Sequence, residues 1–227
     1  MGLDMRPMGK AKPGFEQRYY EIMDLVSDID NGKKQELSIW DKLKGKKAPN
    51  REELLTEWFA NLIPTYETIK APMVGRDEQA NQWLSSRYEV LDEKSMSYEE
   101  FEKEHEGYYV IDLAEELDGV PLYCSFGQDE NVLRGQFLND CLSIIDEDLV
   151  YDAWETKRAD ATLDYGNRLM EVADKLAQEH NLGYLKTQRE IPDVDEDTME
   201  AKLHILYAVA KWLIFYGKNG HGYEADF

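Results

Sequence analysis

The stretch from Asp197 to Gly217, DTMEAKLHILYAVAKWLIFYG, is the tightest constraint on how this chain can fold. At 100° per residue on a helical wheel, Glu200, His204, Tyr207 and Lys211 fall within about 60° of one another. Nearly everything else on the wheel is apolar, including Met199, Leu203, Leu206, Val209, Trp212, Leu213 and Phe215. An ordinary surface helix carries an apolar stripe on a polar body. This one carries a polar stripe on an apolar body, so it has to be covered on nearly every side. It is the expected centre of a core. A membrane span needs about 20 apolar residues, and Lys202, His204 and Lys211 interrupt a shorter run, so no membrane partner is expected. Asp197 or Thr198 is placed to cap the start of the helix and Gly217 to stop it.

Around this centre the apolar spacing predicts helices over 15–30, 52–63, 78–91, 132–145, 146–156 and 160–180. In the second of these, Leu55, Phe59 and Leu62 form the expected inward face. Ser97 and Glu100 have the spacing of a capping box for a short charged helix. Residues 108–117 and 120–126 alternate on either side of Asp118-Gly119, a dipeptide suited to a two-residue hairpin turn. A short strand over 184–191 is expected to join that hairpin. The glycine- and proline-rich start, 1–14, reads as extended or looped chain, and 218–227 as a flexible tail. The fold class expected is therefore α+β and mainly helical. About seven or eight helices would gather around the C-terminal one (197–217), with a small antiparallel sheet built on the 108–126 hairpin, in one domain spanning 1–227.

Charge narrows the partners. The 227 residues hold 26 Lys and Arg against 47 Asp and Glu, a net charge of −21. Residues 1–51 carry eleven of those bases and eight of those acids, leaving fifteen bases and thirty-nine acids for the rest. An acidic body repels nucleic acid, whose affinity comes from Lys and Arg displacing counterions from phosphates. It attracts basic proteins instead. Two cysteines, Cys124 and Cys141, are too few for a disulfide framework, and the start has no secretory pattern, so a reduced, cytoplasmic location is expected. The opening MGLDM resembles the start of many bacterial and phage proteins, which implies such a source and nothing further.

Four groups of residues carry chemistry. The Glu200–His204–Tyr207–Lys211 stripe offers a base, a carboxylate placed to orient it, a phenol and a cation, the catalytic candidates if the stripe lines a cleft. Arg6, Lys10 and Lys12, and then Lys44, Lys46 and Lys47 in a basic loop, are candidate anion sites. Glu102-Lys103-Glu104-His105 has the spacing of one half of a di-iron site, but no second Glu-x-x-His exists in the chain, so no metal is expected there. Carboxylates recur at helical spacing in Glu53/Glu57, Asp148/Asp152/Glu155 and Glu171/Asp174, fragments of the pattern that holds Mg²⁺ in helical nucleotide pyrophosphatases. No complete cofactor motif is present. The function expected is thus an acidic cytosolic protein that binds a basic protein partner, as an inhibitor, immunity-like or regulatory protein. The alternative is a Mg-dependent enzyme acting on a nucleotide or another phosphate-bearing small molecule. A homodimer packed on the central helix is compatible with either.

Overall fold

A computed structural model describes residues 2–33, 50–91, 94–114, 132–188 and 190–226. In chain order the elements are β1 (Asp4–Pro7), β2 (Lys10–Ala11), α1 (Glu16–Asp30), α2 (Arg51–Ala60), β3 (Leu62–Ile63) and α3 (Thr65–Ile69). There follow α4 (Glu78–Glu89), α5 (Tyr98–Glu104), β4 (Leu133–Arg134), α6 (Glu147–Tyr151), α7 (Ala159–His180), α8 (Met199–Lys218) and β5 (Tyr223–Asp226). The fold is mainly helical α+β with a small antiparallel sheet. Its residues gather into two compact units, Met1–Met8 with Thr65–Phe227, and Gly9–Pro64, which lies between those two segments in sequence. No linker in the sequence marks that division.

The larger unit is built on α7 and α8. As expected of the centre of a core, α8 buries Leu203, Leu206, Val209, Trp212 and Leu213 completely or nearly so. Thr198 caps its start, its hydroxyl accepting from the Ala201 N–H at 3.2 Å. Gly217 does not stop it. The helix runs on to Lys218 and is closed by Asn219, and Gly217 is a packing position. A Cβ at 217 would lie 2.7 Å from the Leu163 backbone nitrogen, and one at Gly166 would lie 2.8 Å from the Leu213 Cβ. The pairing of 163 with 217 and 166 with 213 makes α7 and α8 antiparallel neighbours in close contact. Such an approach is open only where both surfaces are flat. Asn181, in the left-handed conformation at φ 59°, ends α7 as the sequence predicts.

Among the described residues the sheet is made by β1, β4 and β5, none of which belongs to the predicted hairpin. β1 lies in the middle, with β4 and β5 antiparallel on either side, in the register Asp4↔Arg134 and Arg6↔Glu224. Met5 points into the core while Asp4 and Arg6 face outward, the period-2 pattern of a half-buried strand. The expected flexible tail is therefore a strand, and Tyr223 is fully buried with its hydroxyl donating to the Ala153 carbonyl at 3.1 Å. Glycine-rich composition signals fraying locally, but a buried aromatic outweighs it. Within 108–114, Tyr109 makes one bridge to Met73 and Ile111–Leu113 turns into 3₁₀ helix, so no continuous strand forms there. Tyr108 and Val110 pack instead with Val74, Leu84 and Phe101 in a second cluster of the same unit. The Asp118-Gly119 turn and the 120–126 strand lie outside the described residues, as does Cys124. Residues 132–145 hold β4 and the 3₁₀ segment Gly135–Cys141 in place of the predicted helix. Its buried Leu138 and Cys141 are three apart, a spacing that α and 3₁₀ turns share. The 184–191 strand is likewise a 3₁₀ turn, Gly183–Lys186. The Ser97–Glu100 capping box forms as expected.

The smaller unit pairs α1 with α2 and β2 with β3. Its core residues are Tyr19, Ile22 and Leu54, and the Tyr19 and Trp58 rings lie 5.2 Å apart. Leu54, rather than Leu55, is the residue of α2 that is buried, and Phe59 is 63% exposed. A ten-residue helix with apolar residues at 54, 55, 58 and 59 supports two inward faces, and Trp58 stacking on Tyr19 selects one. Across the pair, Arg18 forks onto Glu57 with two bonds of 2.8 and 2.7 Å.

Candidate functional site

The His204 stripe is lined up along α8 as the wheel predicts, but it faces other parts of the larger unit. His204 is 7% exposed and Tyr207 1%. The Tyr207 hydroxyl donates to Asp174 Oδ1 on α7 at 3.0 Å, which helps hold its pKa up at about 12. Burial is the larger cause of that rise. Glu200 accepts from the Tyr184 hydroxyl, so its carboxylate is engaged by the 3₁₀ turn that covers this edge of α8. Lys211 reaches the Gln188 carbonyl at 3.5 Å. Burial lowers the His204 pKa, and the Lys211 charge lowers it further against a contact with the Gln188 backbone. The stripe is a set of polar groups partnered inside the fold, and it lines neither of the surface clefts described below.

The basic candidates are also engaged. Arg6 pairs with Asp226 across β1 and β5 at 3.0 Å, and Lys12 donates to the Ala60 carbonyl at 2.8 Å. Lys10 is in β2, where its backbone pairs with Ile63. Lys44, Lys46 and Lys47 lie outside the described residues. His105, the end of the Glu-x-x-His step, donates from Nδ1 to the Phe101 carbonyl at 2.7 Å and packs on the Phe101 ring. Among the described residues no cluster of three His, Cys, Asp or Glu side chains could hold a metal ion. Cys141 is fully buried, and burial pushes its thiol up to about 12.

What the structure does bring together is a set of carboxylates beside α6 and α7. An open cleft of about 870 Å³ is lined by Asp146, Glu147, Asp148, Asp152, Glu155 and Glu171, with Leu149, Tyr151, Arg168 and Val172. The sequence marks Asp148, Asp152 and Glu155 as one helical group and Glu171 with Asp174 as another. The fold joins the first group to Glu171 alone, because Asp174 turns to Lys186, whose Nζ lies 2.8 Å from both its oxygens. α6 supplies Asp148 in its first turn, where the helix dipole favours acids. Glu171 projects from the exposed side of α7.

The floor of the cleft is more tightly built than its rim. Lys157, with only 8% of its side chain exposed, donates to Asp152 Oδ1 at 2.5 Å and lies 3.6 Å from Glu155. Arg168 bonds the other oxygen, Asp152 Oδ2, through Nη2, and Asp164 through Nε at 3.0 Å. Its guanidinium carbon sits 5.3 Å from the centre of the Tyr165 ring. Burial pushes the Asp152 carboxyl up, but the hydrogen bonds from Lys157 and Arg168 outweigh it and hold the group below the usual range. Asp146, Glu147, Asp148 and Glu171 remain exposed at the rim, as does Tyr151. A smaller open pocket of about 410 Å³, lined by Asp140, Val194, Asp195, Glu196 and Asp197, is acidic as well.

The whole net charge lies on the unit that carries these clefts. Gly9–Pro64 holds ten bases and ten acids, so the remaining sixteen bases and thirty-seven acids leave −21 on the larger unit. Among the described residues no helix is long and apolar enough to cross a membrane. Compared with protein-family models, with curated proteins and with solved structures, the chain matches none.

Proposed function

We propose that this protein acts by binding a basic partner protein, in the manner of an inhibitor or immunity-type protein, and that the partner seats a cationic segment in the cleft beside α6 and α7. The observation that supports this reading is the convergence of six carboxylates on one open cleft, against two bases, Arg168 in its lining and Lys157 beneath it. A concave surface lined by one sign of charge focuses field lines and raises the local concentration of oppositely charged groups. An interface of ordinary size buries about 800 Å² on each side, so the partner extends beyond the cleft over the acidic surface of the same unit. The exposed Tyr151 adds an aromatic face on which a lysine or arginine can rest.

The test is a capture from the protein's own cell extract at low and at high salt, using wild type and an Asp148→Asn/Glu171→Gln variant. A basic protein retained by wild type at low salt, and released both by salt and by the variant, is the expected result. Failure to retain any basic protein, or equal retention by the variant, would contradict the proposal.

A further inference from the structure

The 3₁₀ turn Gly183–Lys186 and the two residues after it lie along the polar edge of α8, and their polar ties to it face solvent. Lys186 holds both oxygens of Asp174 at 2.8 Å, with nearly half of each side chain exposed. An ion pair so exposed contributes little to stability. Tyr184, which donates to Glu200, is exposed as well. Leu185 is fully buried and anchors the segment in the main cluster. At its far end the Gln188 backbone meets two side chains of α8. The His204 imidazole hydrogen-bonds it, and Lys211 Nζ lies 3.5 Å from its carbonyl oxygen. A segment anchored by one buried side chain, with its other ties in solvent, is of the kind that opens locally before the fold does.

We propose that residues 183–188 form a pH-sensitive strap, closed over the α8 stripe while His204 is neutral and released when the imidazole takes up a proton. This inference is independent of the binding function proposed above. In the closed form His204 is 7% exposed, so a charge on it is poorly solvated. The groups around it do not compensate. On α8 itself the Lys211 charge repels an imidazolium, and Glu200 is engaged by Tyr184. On α7 the acid at this edge is Asp174, which already serves Lys186 and the Tyr207 hydroxyl. The strap brings a phenol, Tyr184, and a second cation, Lys186. Cys141 of the 3₁₀ segment Gly135–Cys141, with Asp140 next to it, meets α8 at the Lys202 carbonyl. That point is about 200° round the helix from His204. Release gives the ring water and parts it from the carbonyl it shares with Lys211. The open form then has the ordinary imidazole value of about 6.5, and the closed form a lower one. Release is therefore favoured as pH falls from about 6.5 through the closed value.

Amide hydrogen exchange on the full chain, read residue by residue by NMR and divided by the intrinsic rate at each pH, tests this. The probes are the Leu185, Thr187 and Gln188 N–H groups, all bonded within the segment, with the middles of α7 and α8 as references. In wild type the strap amides are expected to be less protected than the helix amides at pH 7.5. They are expected to exchange about tenfold faster again at pH 5.5, the gain for one proton taken up near 6.5 in the open form alone. His204→Gln and His204→Leu are expected to lose that gain, and His180→Gln, at the exposed end of α7, to keep it. Strap amides as protected as the helices would mean that the segment leaves only on global unfolding, and would overturn the strap. So would exchange unchanged between the two pH values. A gain that persists in both His204 variants, or is lost in His180→Gln, would overturn the assignment to His204. One measurement needs no variant to fold, the titration of the His204 ring in wild type by NMR. It is expected below about 6.5, and a value at or above that would overturn the inference.

Discussion

Three residues show how far single side chains carry the fold. At Gly217, in the last turn of α8, replacing a helical glycine by alanine ordinarily gains up to about 1 kcal/mol from reduced backbone freedom. Here the added carbon meets Leu163 backbone at 2.7–2.8 Å, and backbone does not give way as a flexible side chain does. Overpacking of that kind costs about 1–3 kcal/mol, so Gly217→Ala is expected to be destabilising overall in urea denaturation. At Asp152, truncation to alanine takes from the buried Lys157 its close carboxylate, leaving the exposed Glu155 at 3.6 Å and the Tyr165 ring at 5.5 Å, with a cost of about 2–3 kcal/mol. His204 sets a pH dependence. Its pKa is lowered in the fold, so the unfolded chain takes up the proton first as pH falls. Its contribution is complete above the unfolded value of about 6.5. It is lost as pH drops from there through the folded value. Urea midpoints at pH 7.5 and 5.5 should therefore fall more in wild type than in His204→Leu, and an equal fall would contradict the buried neutral imidazole.

At the scale of elements, α8 behaves as its pattern requires. Leu206→Ala and Leu213→Ala are each expected to cost about 2–5 kcal/mol, because both side chains are fully buried in the main cluster. Lys211→Ala, which removes the long contact from Nζ to the Gln188 carbonyl, is expected to cost under about 1 kcal/mol. Equal losses at all three positions by chemical denaturation would remove α8 from the centre of the core. This helix was legible because its pattern is a property of the helix alone. The same holds for α1, α4 and α7, and for the capping box, where Ser97 and Glu100 satisfy one another within four residues. The sheet was not legible, since β1 is four residues long and is made a strand by β5, more than 200 residues away. Nothing in KNGHGYEADF announces that pairing. The site was legible in pieces. The spacing exposed Asp148, Asp152, Glu155 and Glu171, but only tertiary packing parts Glu171 from Asp174 and brings it to α6. The stripe was visible as a stripe. Its covering by Gly183–Lys186 and α7 depends on a turn that the sequence presents as a strand.

At the scale of the whole molecule, charge and stability are kept apart. The larger unit carries the full net charge of −21, yet its core is apolar and its buried cation, Lys157, is paired. The rim carboxylates of the cleft are exposed, and exposed charges contribute little to folding. The proposed function gives them a role in attracting a basic partner. The central claim is that these acids serve binding and not the fold, and one paired measurement on a single variant tests it most directly. For Asp148→Asn/Glu171→Gln, thermal unfolding and low-salt association with the captured basic partner are measured side by side. The account predicts a Tm within about 2 °C of wild type, as for surface substitutions in a domain of this size, together with a clear loss of association rate that high salt erases. A lowered Tm with association unchanged would contradict it, and would make the cleft's carboxylates part of the scaffold.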